Sequence, residues 1–225
     1  MPLTPSTPDQ GVGFNSISCF ASNGCIGVGF NGFDSSPCCS NVPFIASYDS
    51  GSWSVQDSPV PADAATGPEG GLPLLNTIDC VDSDNCTAGG AFMDSQNHQQ
   101  AMFVTLSDGK WTATEATLPS ASSSNLIAVV DGVSCPAVDA CVADGSWWPT
   151  YPEELPAPII FTQQSDGSWT ASEPSTTVTS GGVRHNGKRV SPKVVLSGVA
   201  CATPLFCRAV GTSGSSALIE KMTRR

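Results

Sequence analysis

The sequence predicts an all-β fold and, within that class, a small β-propeller of four blades with four antiparallel strands each. Glycine and proline (22 and 18 residues of 225) divide the chain into short segments and leave little room for long helices. Four cysteine pairs have the same spacing, and the same order of apolar segments and turns surrounds each pair. Such internal repetition at 55–66 residues is typical of propeller blades.

Each cysteine pair is predicted to close a β-hairpin. Five residues separate the partners in every pair, and the first cysteines follow one another at intervals of 61, 55 and 66 residues. An apolar or small segment ends at each first cysteine and another begins at each second one, so two strands, A and B, flank a short loop. The predicted intra-blade disulfides are Cys19–Cys25, Cys80–Cys86, Cys135–Cys141 and Cys201–Cys207.

Two more strands complete the repeat. Strand C is the apolar segment at 44–46, 102–104, 159–161 and 217–219. In the first three copies, a turn with glycine leads to strand D, which begins near Trp53, Trp111 or Trp169. The predicted repeats cover about 9–61, 62–119, 120–175 and 190–225, within one domain of residues 1–225.

The fourth copy ends before a Trp strand. We expect residues 1–8 to complete that blade, with Met1 to Pro5 beside the strand at 217–220, because an uncovered sheet edge promotes aggregation. Truncation of a longer propeller is the alternative. The protein is therefore expected to be a monomer or to self-associate through the incomplete blade.

The repeat resembles a tandem repeat of secreted proteins from soil actinobacteria and their relatives. The resemblance rests on the pattern of a cysteine, five residues and Cys-x-Ala-Val-Gly seen at Cys201 and Cys207, together with the Asp-Gly-x-Trp turn seen at 166–169. It covers nearly the whole chain. It implies a propeller-like fold, and that family has no assigned biochemical function.

Charge and cysteine content indicate the environment and exclude some partners. The net charge is −11, and 19 of the 20 acidic residues precede position 184, whereas eight of the nine basic residues follow position 183. An acidic body disfavours nucleic acid. Ten cysteines favour an oxidising compartment, so we expect a secreted, mature chain that neither carries a signal peptide nor inserts into a membrane.

The B–C and D–A connections of a propeller emerge on one face, and here they are the long, non-repeating ones. The third B–C loop contains three aromatic residues and two acids, which suit sugar binding: Trp147, Trp148, Tyr151, Glu153 and Glu154. The alternative is that one Trp folds inward. We also expect His98, Arg184 and His185 on this face, with the basic loop from Arg184 to Lys193 favouring an anionic glycan.

Two further features depart from the repeat. Asp144 occupies a strand B position where the other copies have Val28, Gly89 and Val210, so it is either functional or solvated at the strand end. Cys38 and Cys39 lie outside the repeat, and a mutual disulfide is the simplest arrangement for them.

The sequence contains no recognised catalytic motif, and we predict neither a metal site nor a cofactor. The predicted function is a non-enzymatic extracellular binding module for carbohydrate or cell-envelope glycan. The alternatives are a propeller glycoside hydrolase or polysaccharide lyase that uses carboxylates and His98 on the same face, and a scaffold for protein–protein interaction.

Overall fold

The computed structural model describes residues 10–33, 40–65, 73–119, 126–148, 156–174, 183–185, 188–190, 194–213 and 216–222. Within these ranges every helix-or-strand element is a β-strand, which confirms the all-β prediction. The strands follow the repeat, so we call the four copies the first to fourth units.

The first three units each contain four antiparallel strands in chain order. The first comprises β1 (Gln10–Ala21), β2 (Gly24–Phe33), β3 (Ser40–Asp49) and β4 (Ser52–Asp57). The second comprises β5 (Leu74–Cys80), β6 (Cys86–Met93), β7 (Gln99–Ser107) and β8 (Lys110–Thr117). The third comprises β9 (Ile127–Ser134), β10 (Val142–Trp148), β11 (Ala157–Gln163) and β12 (Trp169–Ser172).

The rest of the chain forms two smaller sheets. A short hairpin, β13 (Val183–His185) and β14 (Lys188–Val190), precedes the fourth unit. That unit has the antiparallel strands β15 (Val194–Thr203), β16 (Phe206–Ser213) and β17 (Ser216–Met222). No fourth strand pairs with β17 among the described residues. The predicted position of Met1 to Pro5 lies outside them.

The four predicted disulfides are confirmed. Each joins the two strands of one A–B hairpin, with a Cα–Cα distance of 4.0 Å: Cys19–Cys25, Cys80–Cys86, Cys135–Cys141 and Cys201–Cys207. The C–D turns also follow the prediction, since Gly51, Gly109 and Gly167 have φ of 96°, 71° and 82°, a backbone region that favours glycine.

The second and third units together close a six-stranded barrel. Strand β8 pairs in parallel with β12, and Gln99 of β7 pairs with Ile127 of β9, so the closed order is β7-β8-β12-β11-β10-β9. All six strands contribute side chains to one buried core. At its centre, the rings of Phe103 and Trp169 stack with centroids 3.6 Å apart.

The first strands of successive units lie side by side: β1 beside β5, β5 beside β9, and β9 beside β15. We call each of these contacts a junction. At every junction, the residue before a unit's first cysteine accepts a hydrogen bond from the backbone N–H of the next unit's first cysteine. The acceptors are Ser18 Oγ for Cys80 (3.0 Å), Asp79 Oδ2 for Cys135 (2.7 Å) and Ser134 Oγ for Cys201 (3.0 Å).

Two more hydrogen bonds recur at the first and second junctions only. The side-chain amides of Asn15 and Asn76 donate to the carbonyl oxygens of Leu75 (2.7 Å) and Val130 (2.9 Å). The hydroxyl oxygens of Ser16 and Thr77 accept the N–H groups of Ile78 (3.3 Å) and Val133 (3.2 Å). The third unit has Asp131 and Gly132 at these positions, and no equivalent bond crosses the third junction among the described residues.

Candidate functional site

The structure separates the two tryptophans of the third B–C loop. Trp147 is 3% exposed and belongs to the barrel core, whereas Trp148 is half-buried on the opposite side of β10. Alternation along a strand explains the difference. The alternative in which one ring folds inward therefore applies to Trp147, and its ring is not available to stack on a ligand.

Several predicted site residues lie outside the described residues: Tyr151, Glu153, Glu154, Cys38 and Cys39. Arg184 and His185 lie in β13, where Arg184 pairs with Arg189 and His185 pairs with Lys188. The hairpin β13–β14 thus concentrates basic residues on two short strands.

Asp144 is fully buried, so the expectation that it is solvated at a strand end is wrong. Neither carboxylate oxygen has a hydrogen-bond partner among the described residues. It lies over Gly132, where a Cβ atom would overlap its Oδ1, and Gly132 itself lies close to Gly198 of the fourth unit. Burial, followed by the negative charge of Asp131, raises the pKa of Asp144 to about 6.

His98 belongs to a hydrogen-bonded loop centred on Asp94, which is 6% exposed. Asp94 Oδ1 accepts the backbone N–H groups of Gln96 and His98, both at 2.8 Å. Asp94 Oδ2 lies 3.1 Å from His98 Nδ1 and accepts Gln100 Nε2 at 3.2 Å. Burial raises the pKa of Asp94, but these hydrogen bonds outweigh it, and the pKa lies below its usual value. His98 is therefore held in one orientation by a structural carboxylate.

The connection that follows β4 reaches this loop and brings Asp63 close to Asp94 and to Glu115 of β8. Its Asp63 carbonyl accepts the N–H of Ser95 at 2.8 Å, and Ala64 forms a bridge with Asp94. The pKa of Glu115 is raised by burial and then by the charges of Asp63 and Asp94, with a hydrogen bond to Asp63 contributing as well. A D–A connection of one unit thus meets the B–C loop of the next.

An open depression of about 400 Å³ adjoins this group, at one end of the barrel. Its apolar part is formed by Ala116, Leu118 and Leu126, and its polar part by Gln100, Glu115 and Thr117. The Oε1 atom of Gln100 is buried and has no hydrogen-bond partner among the described residues. We call Asp63, Asp94, His98, Gln100 and Glu115 the rim cluster. A depression with an apolar floor and converging polar groups has the composition of a small-ligand site.

Of the predicted residues, the structure brings only His98 into the rim cluster. Gln100 and Glu115 were not predicted as site residues. Gln100 lies near the start of strand C and Glu115 near the end of strand D, and the repeat pattern indicates only a structural role for these strands. One feature of the sequence could have indicated Gln100 as a site residue: the polar pair Gln99-Gln100 stands directly before the apolar segment at 101–104.

Comparison with known proteins leaves the chain without a family assignment. No family model matches the sequence, and no curated protein is significantly similar to it. Within the described residues, no group of three or more metal-binding side chains is close enough to hold a metal ion. The same residues include no helix that is long and apolar enough to cross a membrane.

Proposed function

We propose that the protein is a secreted, non-enzymatic binding module for carbohydrate, and that the ligand binds in the depression beside the rim cluster. The observation that carries this proposal is the buried, unpartnered Oε1 of Gln100 next to the carboxyl group of Glu115. A buried acceptor without a partner costs about 1–3 kcal/mol. Because Gln100 lines the depression, rotation of its side chain would bring this oxygen to a ligand hydroxyl.

The charge of the rim cluster bears on the class of glycan. Three of its five members are carboxylic acids, so the cluster offers acceptors to sugar hydroxyl or amino groups. This favours a neutral or amino sugar over the acidic glycan that the basic segment from Arg184 to Lys193 suggests. The apolar floor formed by Leu118 and Leu126 suits the C–H face of a sugar ring.

A glycoside hydrolase is the second candidate, because the pKa of Glu115 is raised while that of Asp94 is lowered, as in many acid–base pairs. Asp94, however, uses both oxygens in four contacts within its own loop and strand. It has little remaining capacity to activate a water or attack a sugar. Binding without turnover therefore fits the rim cluster better.

A glycan array followed by calorimetry of the best ligand tests both candidates. We expect Glu115→Gln to weaken binding on the order of 10-fold, because it replaces a charged acceptor. Glu173→Gln, at an exposed position after β12, removes the same charge and should leave affinity unchanged. Absence of any bound glycan, or equal binding by the Glu115 variant, would contradict the proposal. Release of sugar from the bound glycan, lost in Glu115→Gln, would favour the hydrolase.

We further propose that the four units are blades of a propeller, in keeping with the resemblance to the secreted tandem-repeat proteins. Support comes from the common strand order of the first three units and from the side-by-side packing of their first strands. Among the described residues, Phe14 and Ile17 of β1, at one end of this row, are each 55% exposed, and Ile219 of β17 in the fourth unit is 71% exposed. Small-angle X-ray scattering should give the compact profile of a ring if the ends meet, and an elongated profile would contradict a closed propeller.

A further inference from the structure

The third junction differs chemically from the other two at equivalent positions. Asn15 and Asn76, four residues before the first cysteine, donate an amide N–H to the carbonyl of the next unit. The third unit has Asp131 there, and an ionised carboxylate has no hydrogen to donate. Asp131 Oδ2 instead accepts the hydroxyl of Ser146 at 3.0 Å. Leu196, the counterpart of Leu75 and Val130, thus receives no such hydrogen bond.

The position after Asp131 also differs from its counterparts, and so does the residue that faces it on the neighbouring strand. The hydroxyl of Ser16 or Thr77 is absent at Gly132, and the neighbouring strand supplies Asp144 in place of Val28 or Gly89. The Asp144 carboxyl group occupies the space where a Cβ atom of Gly132 would stand, and the Cα atom of Gly198 in β15 lies 3.5 Å from that same position. Asp144 is completely buried, and neither of its carboxylate oxygens has a hydrogen-bond partner among the described residues. It lies on the same face of β10 as Val142, which belongs to one buried cluster with Leu196 of the fourth unit.

We propose that the third junction is an acid-strengthened contact, in which protonation of Asp144 and Asp131 holds the fourth unit against the third. A neutral Asp144 removes an uncompensated charge from a buried interface. A neutral Asp131 gains the hydrogen that Asn15 and Asn76 use for the same contact. The first and second junctions, which rely on amides and hydroxyls at these two positions, lack this dependence.

Within the part of the chain that the structure describes, no neighbouring charge compensates Asp144. Asp131 is the one ionisable residue of β9, and β11 and β15 contain none that titrates, since Cys201 is in a disulfide. In β16, the guanidinium of Arg208 donates to the carbonyl of Cys207 at 2.9 Å and lies over the Phe206 ring. The pKa of Asp144 is about 6 in the fold, against an ordinary value of 3.8, which places the transition between pH 4 and 7.

The sign follows from proton binding. The folded junction holds a proton on Asp144 that the separated units release, so the contact is strongest below pH 4 and weakens as the pH rises through about 6. Between pH 5 and 7, this single group changes the opening equilibrium on the order of 10-fold.

Hydrogen exchange with mass spectrometry tests this in the full chain, after correction for the intrinsic pH dependence of exchange. We expect protection of peptides from 194–213 to fall on the order of 10-fold from pH 5 to pH 7, while peptides from 74–93 stay constant. Asp144→Asn should abolish the pH dependence, and Asp131→Asn should reduce it and raise protection at pH 7. Asp57→Asn, at an exposed position in β4, is the matched control. Equal pH dependence in the wild type and Asp144→Asn, or none in the wild type, would overturn the proposal.

Discussion

The barrel of the second and third units and the outer sheet of the first unit use the same strand pattern in opposite environments. Trp169 begins strand D of the third unit, is fully buried, and stacks on Phe103. Trp53 begins strand D of the first unit, is 37% exposed, and makes only tilted contacts with Phe14 and Tyr48. The repeat therefore determines the hairpins, while burial depends on whether a second unit covers the sheet.

Replacing each of the two tryptophans with alanine should give the largest difference in stability between the barrel and the first unit. Trp169→Ala should lower the free energy of unfolding by about 3–5 kcal/mol, because it leaves a cavity inside the barrel. Trp53→Ala should cost about 1 kcal/mol or less, since much of its ring already contacts water. Denaturant unfolding followed by circular dichroism measures both. Equal losses for the two variants would show that the first unit is covered in solution.

A smaller effect is expected at the second junction. Asp79→Ala removes the acceptor of the Cys135 N–H, and a partly buried donor left without a partner costs about 1–3 kcal/mol. The unfolding midpoint in urea measures this loss. Asp57→Ala is the control, because that exposed carboxylate lies on the outer strand β4. If both substitutions have the same small effect, the hydrogen bond does not stabilise the junction.

The sequence was sufficient to predict the hairpins because each is specified locally. The spacing of Cys80 and Cys86 and the turn at Gly109 act within a few residues, and the structure has both as predicted. Closure of the barrel was not predictable in this way. It depends on the parallel pairing of Trp169 with Ala116, which belong to different units and are far apart in the sequence.

The candidate site was predictable only in part. Topology correctly indicated that connections of adjacent units meet on one face, and His98 lies there. Trp147 shows what the sequence could not predict. An aromatic residue at the end of a strand can point to either face of the sheet, and Trp147 points into the core because it is paired in register with Ala128. Gln100 and Glu115 come together through pairing of β7 with β8, which the repeat pattern predicts without indicating a functional role.

The hydrogen bonds at the junctions run mostly between a side chain of one unit and the backbone of the next. Backbone N–H and C=O groups are the same for almost every residue, so the receiving unit places little demand on its own sequence at these points. A gene segment encoding one unit can consequently be duplicated or exchanged without a matching change in its successor. Ser197, Gly198 and Ala200 of the fourth unit lack the amide and the acceptor that the first unit has in Asn15 and Ser18, so a copy inserted after the fourth unit would have fewer attachment points than one inserted after the first.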